Sequence, residues 1–430
     1  MKNNPAKSHN AVRLNYYRLF FTIAISSMCL LQACAQNVAR QSRANSVFGV
    51  HFDFHAKAED TQIGKTLTDD MVDTFLKTVK PDFIQIDTKG HTGIASYPTK
   101  VGRAGGIVKD PIKLFRQVTA KNGVGLYAHY SSIGDNEVLK SKPEWGTMNS
   151  SGKRSASMVS IFSGYVDNYF IPQLKEISNY GVDGFWIDGD NWMLQPDYSP
   201  GALSAFTSAT GKRSAGVSDD DKKDYMQFTR QAYRKYLNHY VSAMHSYNPK
   251  LQIGSSWAYA ARMPGPVDAP VDFLSGDISN NDVADIDFQA YCMASQGKPW
   301  DIMSWAVPVD NERFKYPYKS GLQLKQQAAI ALSLGGAHEV YVPQAHDASI
   351  PLNSGLLQTL KEVSELCHTM KPYSFQSKAI PQIGLFLSST SHYLESNRAF
   401  GSDDRGSNYF SGMLDMLLDA QYSVEVLQEY

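Results

Sequence analysis

"GVDGFWIDGDNW", residues 181–192, sets the problem. Glycines bracket a short aromatic and apolar run, Gly184 to Ile187, with the composition of a buried strand. Two acids, Asp188 and Asp190, follow at once. A carboxylate at the end of a buried strand is costly to desolvate unless it is paired, hydrogen-bonded or used. A parallel barrel gathers strand ends into one polar mouth, so the question becomes whether such runs recur.

They do. Strand-like runs read "FGVHFDF" (48–54), "DFIQID" (82–87), "VGLYAHY" (124–130) and "GFWID" (184–188). They continue with "LQIGSS" (251–256), "DFLSGD" (272–277), "DIMSWA" (301–306) and "HEVYVP" (338–343). Amphipathic stretches at 68–79, 110–123, 165–181, 219–247 and 322–336 separate them. Asp110-Pro111 opens one such helix and Gly123 closes it, a matched pair of boundary signals. Eight strands alternating with helices make an α/β protein of the (β/α)8, or TIM-barrel, class. A doubly wound sheet would need a glycine-rich phosphate turn after an early strand, and none is present.

At 430 residues the chain has length for a large core, and 41 basic against 42 acidic residues leave no electrostatic footprint for nucleic acid. All six tryptophans fall between Trp145 and Trp305, where they serve as core or as platforms for sugar rings. Residues 1–35 read as a secretory signal: Lys2, Lys7, Arg13 and Arg18, the apolar run Leu19 to Leu31, then "QACAQ". Ala33-Cys34-Ala35 suits ordinary cleavage. Leu31 to Cys34 suits a lipobox with Cys34 lipidated, and the lipoprotein ending is favoured. This predicts an exported chain, periplasmic or anchored to the outer membrane, that meets the membrane only through the anchor. Cys292 and Cys367 are expected as two buried thiols. The barrel spans 47–375. Residues 379–430 read as strand–helix–strand, the opening of a flavodoxin- or amidotransferase-like α/β domain, or an extension packed on the barrel.

Polar residues collect at the strand C-termini. If extension continues to residue 190, Trp186, Asp188 and Asp190 share one face and point into the mouth. A carboxylate there suits a glycosidase nucleophile, with a second carboxyl group to protonate the leaving oxygen. The bland alternative is capping of the next segment. His51, Asp53 and His55 alternate on the first strand and could hold a metal, as in barrel hydrolases with an H-x-H first strand. No histidine lies between His245 and His338 to complete such a set, so neither metal nor cofactor is expected.

Several segments resemble the α-L-fucosidases of glycoside hydrolase family 29. "KGHTGIASYPTK" (89–100) is similar to that family's "KHHDGF-W-SK", and "KDPIKLFRQVTAKNGVGLYAHYS" (109–131) to its helix leading into "GLYYS". "GVDGFWIDGD" resembles the nucleophile strand "(I/V)DGLWFDG", and "KPWDIMSW" (298–305) resembles "PWETCMTI-SW". The segment 319–363 resembles the helix and final strand that close the family's barrel. The matches keep chain order over 48–372. The family's histidine pair is Gly90-His91 here, and its "HWG" is "HFDFH".

The resemblance implies a retaining hydrolase with Asp188 as nucleophile and a carbohydrate partner. Another exo-glycosidase, such as a galactosidase, and a non-catalytic glycan-binding lipoprotein are the alternatives. The general acid is expected at Asp277, with Asp190 as local alternative. Asp301 and Glu312 are outsiders, Asp301 because it opens its strand. His51, His55, His91, His129, Trp145, Trp192, Trp257, Trp305, Gln344 and His346 are the expected sugar-site residues.

Overall fold

The computed structural model describes residues 42–212, 219–279, 283–307, 318–396, 398–400 and 405–430. The signal segment with Cys34, and Glu312, lie outside them.

The parallel strands are β1 (Phe48–Asp53), β2 (Phe83–Lys89), β3 (Gly125–Ser131) and β4 (Gly184–Asp188). They continue as β5 (Gln252–Ser255), β6 (Leu274–Ile278), β7 (Trp300–Trp305) and β8 (Ala337–Pro343). Their order is β6-β7-β8-β1-β2-β3-β4-β5, and a parallel bridge between Ser256 and Ser275 joins the two ends. This is a closed α/β barrel. Every residue of β4 is buried. Phe185 and Ile187 join the cluster under the outer helices, whereas Trp186 belongs to an interior cluster with Phe83, Tyr127, Phe273, Met303 and Tyr341.

The outer helices start where the caps say. Thr68 accepts from the Met71 N–H ahead of α1 (Asp69–Val79), and Asp110 accepts from that of Lys113 ahead of α2 (Pro111–Lys121). Then come α3 (Ile171–Ser178), α4 (Pro200–Thr210), α5 (Asp219–Tyr247), α6 (Val283–Ala294), α7 (Gly321–Ser333) and α8 (Ser354–Ser374). A capping box between Ser320 and Gln323 opens α7. The barrel departs from strict alternation once: residues 256–273, between β5 and β6, contain no helix. Among the described residues no helix is long and apolar enough to cross a membrane.

The end of the barrel opposite the strand C-termini is plugged by Arg43. Its guanidinium lies 3.9 Å from the centre of the Phe83 ring and bonds Asp301 (2.8 Å) and Glu339 (2.8 Å). Cys292 and Cys367 are buried and unbridged. Beyond the barrel, β9 (Ile383–Leu387) pairs in parallel with β10 (Val424–Gln428) across α9 (Arg405–Asp419). This unit shares a small apolar cluster with Ala261, Phe288 and Cys292 of the barrel.

Candidate active site

A cavity of about 480 Å³ opens at the C-terminal ends of the strands. Asp188 closes β4 and reaches its wall. The Gly189 N–H donates to Asp188 Oδ1 at 2.6 Å and the Trp192 indole N–H donates to the same oxygen at 2.9 Å. The other oxygen, Oδ2, lies 3.4 Å from both His129 Nε2 and His91 Nε2. Burial opposes the charge on Asp188, but His129, His91 and Trp192 together outweigh it and hold the carboxyl well below its ordinary range.

His129 stands among carboxylates. Its Nδ1 is 3.2 Å from Asp87 Oδ1 and 4.0 Å from Asp53 Oδ1. Burial disfavours the imidazolium, yet the bonds to Asp188 and Asp87 and the charge of Asp53 push His129 up to about 10. At neutral pH it is a fixed cation behind Asp188. His91, largely buried, is held down to about 4, and His51 also falls well below the ordinary histidine value through burial. These two are neutral imidazoles, able to donate and accept hydrogen bonds. Among the described residues, His51 Nε2 and His91 Nδ1 are shielded from solvent without a partner.

Asp277, in β6, lines the same cavity. Burial raises its pKa and the charge of Asp188 raises it further, while the Trp305 N–H (2.9 Å) and Arg262 pull the other way; the net direction is up. One carboxyl group is thus held ionised and the other is shifted toward its protonated form. Trp192, Trp257 and Trp305 line the cavity, and Trp305 stacks on Tyr341 at 4.4 Å.

His55 also lines the cavity, with its Nε2 3.1 Å from Asp53 Oδ2. Four expected residues lie elsewhere. The strand ends at Asp188 because Gly189 turns to φ +61°, so the shared face with Asp190 does not form. Asp190 is fully buried behind the wall, where it accepts from Ser255 Oγ (2.8 Å) and Tyr240 OH (3.2 Å). Burial pushes its carboxyl up to about 7. Trp145, in the short turn Pro143–Trp145, packs edge-on against Tyr165. Gln344 donates to the Ala348 carbonyl and braces its own loop. His346 pairs with Asp60 outside the cavity lining. Asp301 sits with Arg43 at the opposite end of the barrel, as its place at the start of β7 implies.

Sequence reasoning missed Tyr341, whose hydroxyl donates to Asp53 Oδ2 at 3.0 Å, and Arg262. The inward parity of Tyr341 with Glu339 on β8 was a usable signal; the loop carrying Arg262 offered none.

Two trios could converge on a cation: His51, Asp53 and His129, and His55, His91 and Asp188, each with ligand atoms within 4.8 Å. The first would require His129 to surrender the proton that its carboxylate neighbours retain, since an imidazolium cannot ligate.

No family model matches the chain, and no curated protein matches it. Among solved structures, α-L-fucosidase isoenzyme 2 from Paenibacillus thiaminolyticus aligns at a TM-score of 0.75 and 16% identity, over 89% of this chain and 58% of that one. The α-L-fucosidase from Vibrio sp. strain EJY3 aligns at 0.49 and 13% identity, over 79% of this chain and 56% of that one. One from Bacteroides thetaiotaomicron aligns at 0.47 and 14%, over 78% and 75%. The chain therefore spans under two thirds of the length of the first two. What it shares with the Paenibacillus fucosidase is the barrel fold.

Proposed function

We propose that the chain is a retaining glycoside hydrolase that removes a terminal sugar of the α-L-fucoside type. The observation supporting this is the pairing, in one cavity, of an ionised Asp188 with an Asp277 whose carboxyl is shifted toward its protonated form. The fold shared with a fucosidase raises the same expectation by analogy. Asp188 attacks the anomeric carbon while Asp277 gives its proton to the departing glycosidic oxygen. Water, deprotonated by Asp277, then cleaves the resulting glycosyl ester. His129 keeps Asp188 ionised and aimed. His51 and His91 meet sugar hydroxyls, and the tryptophans cover the apolar ring face.

The test is hydrolysis of 4-nitrophenyl α-L-fucoside by the chain lacking residues 1–35, beside Asp188→Ala and Asp277→Asn. Both variants should lose turnover, and azide should restore Asp188→Ala by forming the glycosyl azide of inverted configuration. Turnover of another aryl glycoside alone would change the sugar. Binding without turnover of any would leave a glycan-binding protein.

Export through residues 1–35 with Cys34 lipidated belongs to the same proposal, supported by the basic, apolar and small-residue pattern. It places the enzyme in the periplasm or on the outer membrane. Mass spectrometry of the mature N-terminus checks it: a diacylglyceryl thioether on Cys34 supports the anchor, and a free N-terminus after Ala35 rejects it.

A further inference from the structure

The helix-free connection between β5 and β6 carries Arg262 into the cavity wall. Its guanidinium carbon lies 4.3 Å from the centre of the Trp257 ring. Among the described residues its Nε is shielded from solvent with no partner, and Arg262 makes no hydrogen bond or ion pair. This sets it apart from Arg43 and Arg116, which bond Asp301 and Asp183. A guanidinium is always charged and offers five donors in a fixed fork, so one left open beside a cavity lacks an acceptor that a ligand can supply.

The platform beneath it is built. Trp257 is buried and takes φ +62°. Its ring lies against Gly276, where an added Cβ would fall 2.2 Å from it. Gly276 precedes Asp277, and Arg262 is near enough to Asp277 to oppose the rise caused by burial and Asp188. A group that protonates a glycosidic oxygen touches the leaving group, so the side of the cavity shared by Asp277 and Arg262 is the leaving-group side.

We infer that the cavity accepts a glycoside whose leaving group carries an anionic substituent, a sulfate ester or a carboxylate, and that Arg262 determines this specificity. This rests on the glycoside hydrolase reading, and the test separates the two. Three aryl α-L-fucosides are titrated calorimetrically into Asp188→Asn, which binds without turnover; the phenol ring of each carries a carboxamide, a carboxylate or a sulfonate at one position. The anionic members should bind about tenfold tighter than the carboxamide, as a charge-assisted pair predicts. The gap should shrink with salt, close when Arg262→Gln is added and partly return with Arg262→Lys. The preferred anion distinguishes sulfated from carboxylated leaving groups. Equal binding of all three overturns the inference alone; no binding of any overturns it together with the α-L-fucoside reading.

Discussion

Trp305 donates its indole N–H to Oδ2 of Asp277 across 2.9 Å, holding the proposed acid by the group that most favours its ionised form. Trp305→Phe keeps much of the stack on Tyr341 and removes that bond. Asp277 should then retain its proton to higher pH. The alkaline limb of kcat/KM, where the acid is lost, moves upward, measured by the pH profile with an aryl glycoside. A limb that stays put or moves down would remove Asp277 from the acid role.

His129 links pH to stability. Its value rises from 6.5 unfolded to about 10 folded, so its stabilisation is complete below 6.5 and is lost as pH climbs through about 10. The melting temperature of the wild type should decline across that window. His129→Phe, which also leaves Asp188 without its cation, should flatten this decline. It should lower turnover by on the order of a hundredfold, the scale of losing one preorganised electrostatic partner.

Asp190 acts in the same sense at lower pH. Burial lifts its carboxyl from 3.8 to about 7, so the folded state binds the proton more tightly and this group's contribution to stability falls as pH rises between those values. Denaturant titrations of Asp190→Asn should lack that slope. If its turnover stays within about tenfold of wild type, or about 1.4 kcal/mol in barrier, Asp190 is structural; a loss like that of Asp188→Ala would return it to the chemistry.

Arg43→Met strands Asp301 and Glu339 in the barrel floor. Removing one partner of a buried charge cluster costs about 3–5 kcal/mol, readable by urea unfolding. Adding Glu339→Gln, which removes a carboxyl already pushed up to about 8 by burial, should recover part of the loss.

Gly276→Ala drives a methyl group into the buried Trp257 ring. Overpacking of this kind costs about 1–3 kcal/mol. Thermal unfolding reports the loss, and a higher KM reports the displaced wall.

The eight strands were legible because each is a short apolar run ended by polar or glycine residues, a pattern that survives without knowledge of neighbours. The cap at Asp110-Pro111 and the strand–helix–strand after residue 381 were legible for the same local reason. Asp188 was found because it ends such a run. Asp190 was misplaced because alternation was carried through Gly189, whose left-handed φ ends the strand. Trp145 and His346 looked like Trp192 and His91 by residue type, Gln344 followed a strand end as site residues do, and only packing separates them from the site.

What the sequence by itself determined is the barrel, the order of its strands along the chain and the inward face of Trp186 and Asp188 on the fourth strand, since these follow from periodicity and punctuation. Tertiary structure decided which strand ends meet: Trp305 with Asp277, His129 with Asp188, Arg262 with Trp257 and Arg43 with the floor. Those pairings depend on the register between strands and on how the loops fold over the mouth. Burial and neighbouring charge then set the protonation of each acid, and neither quantity is encoded at any single position of the chain.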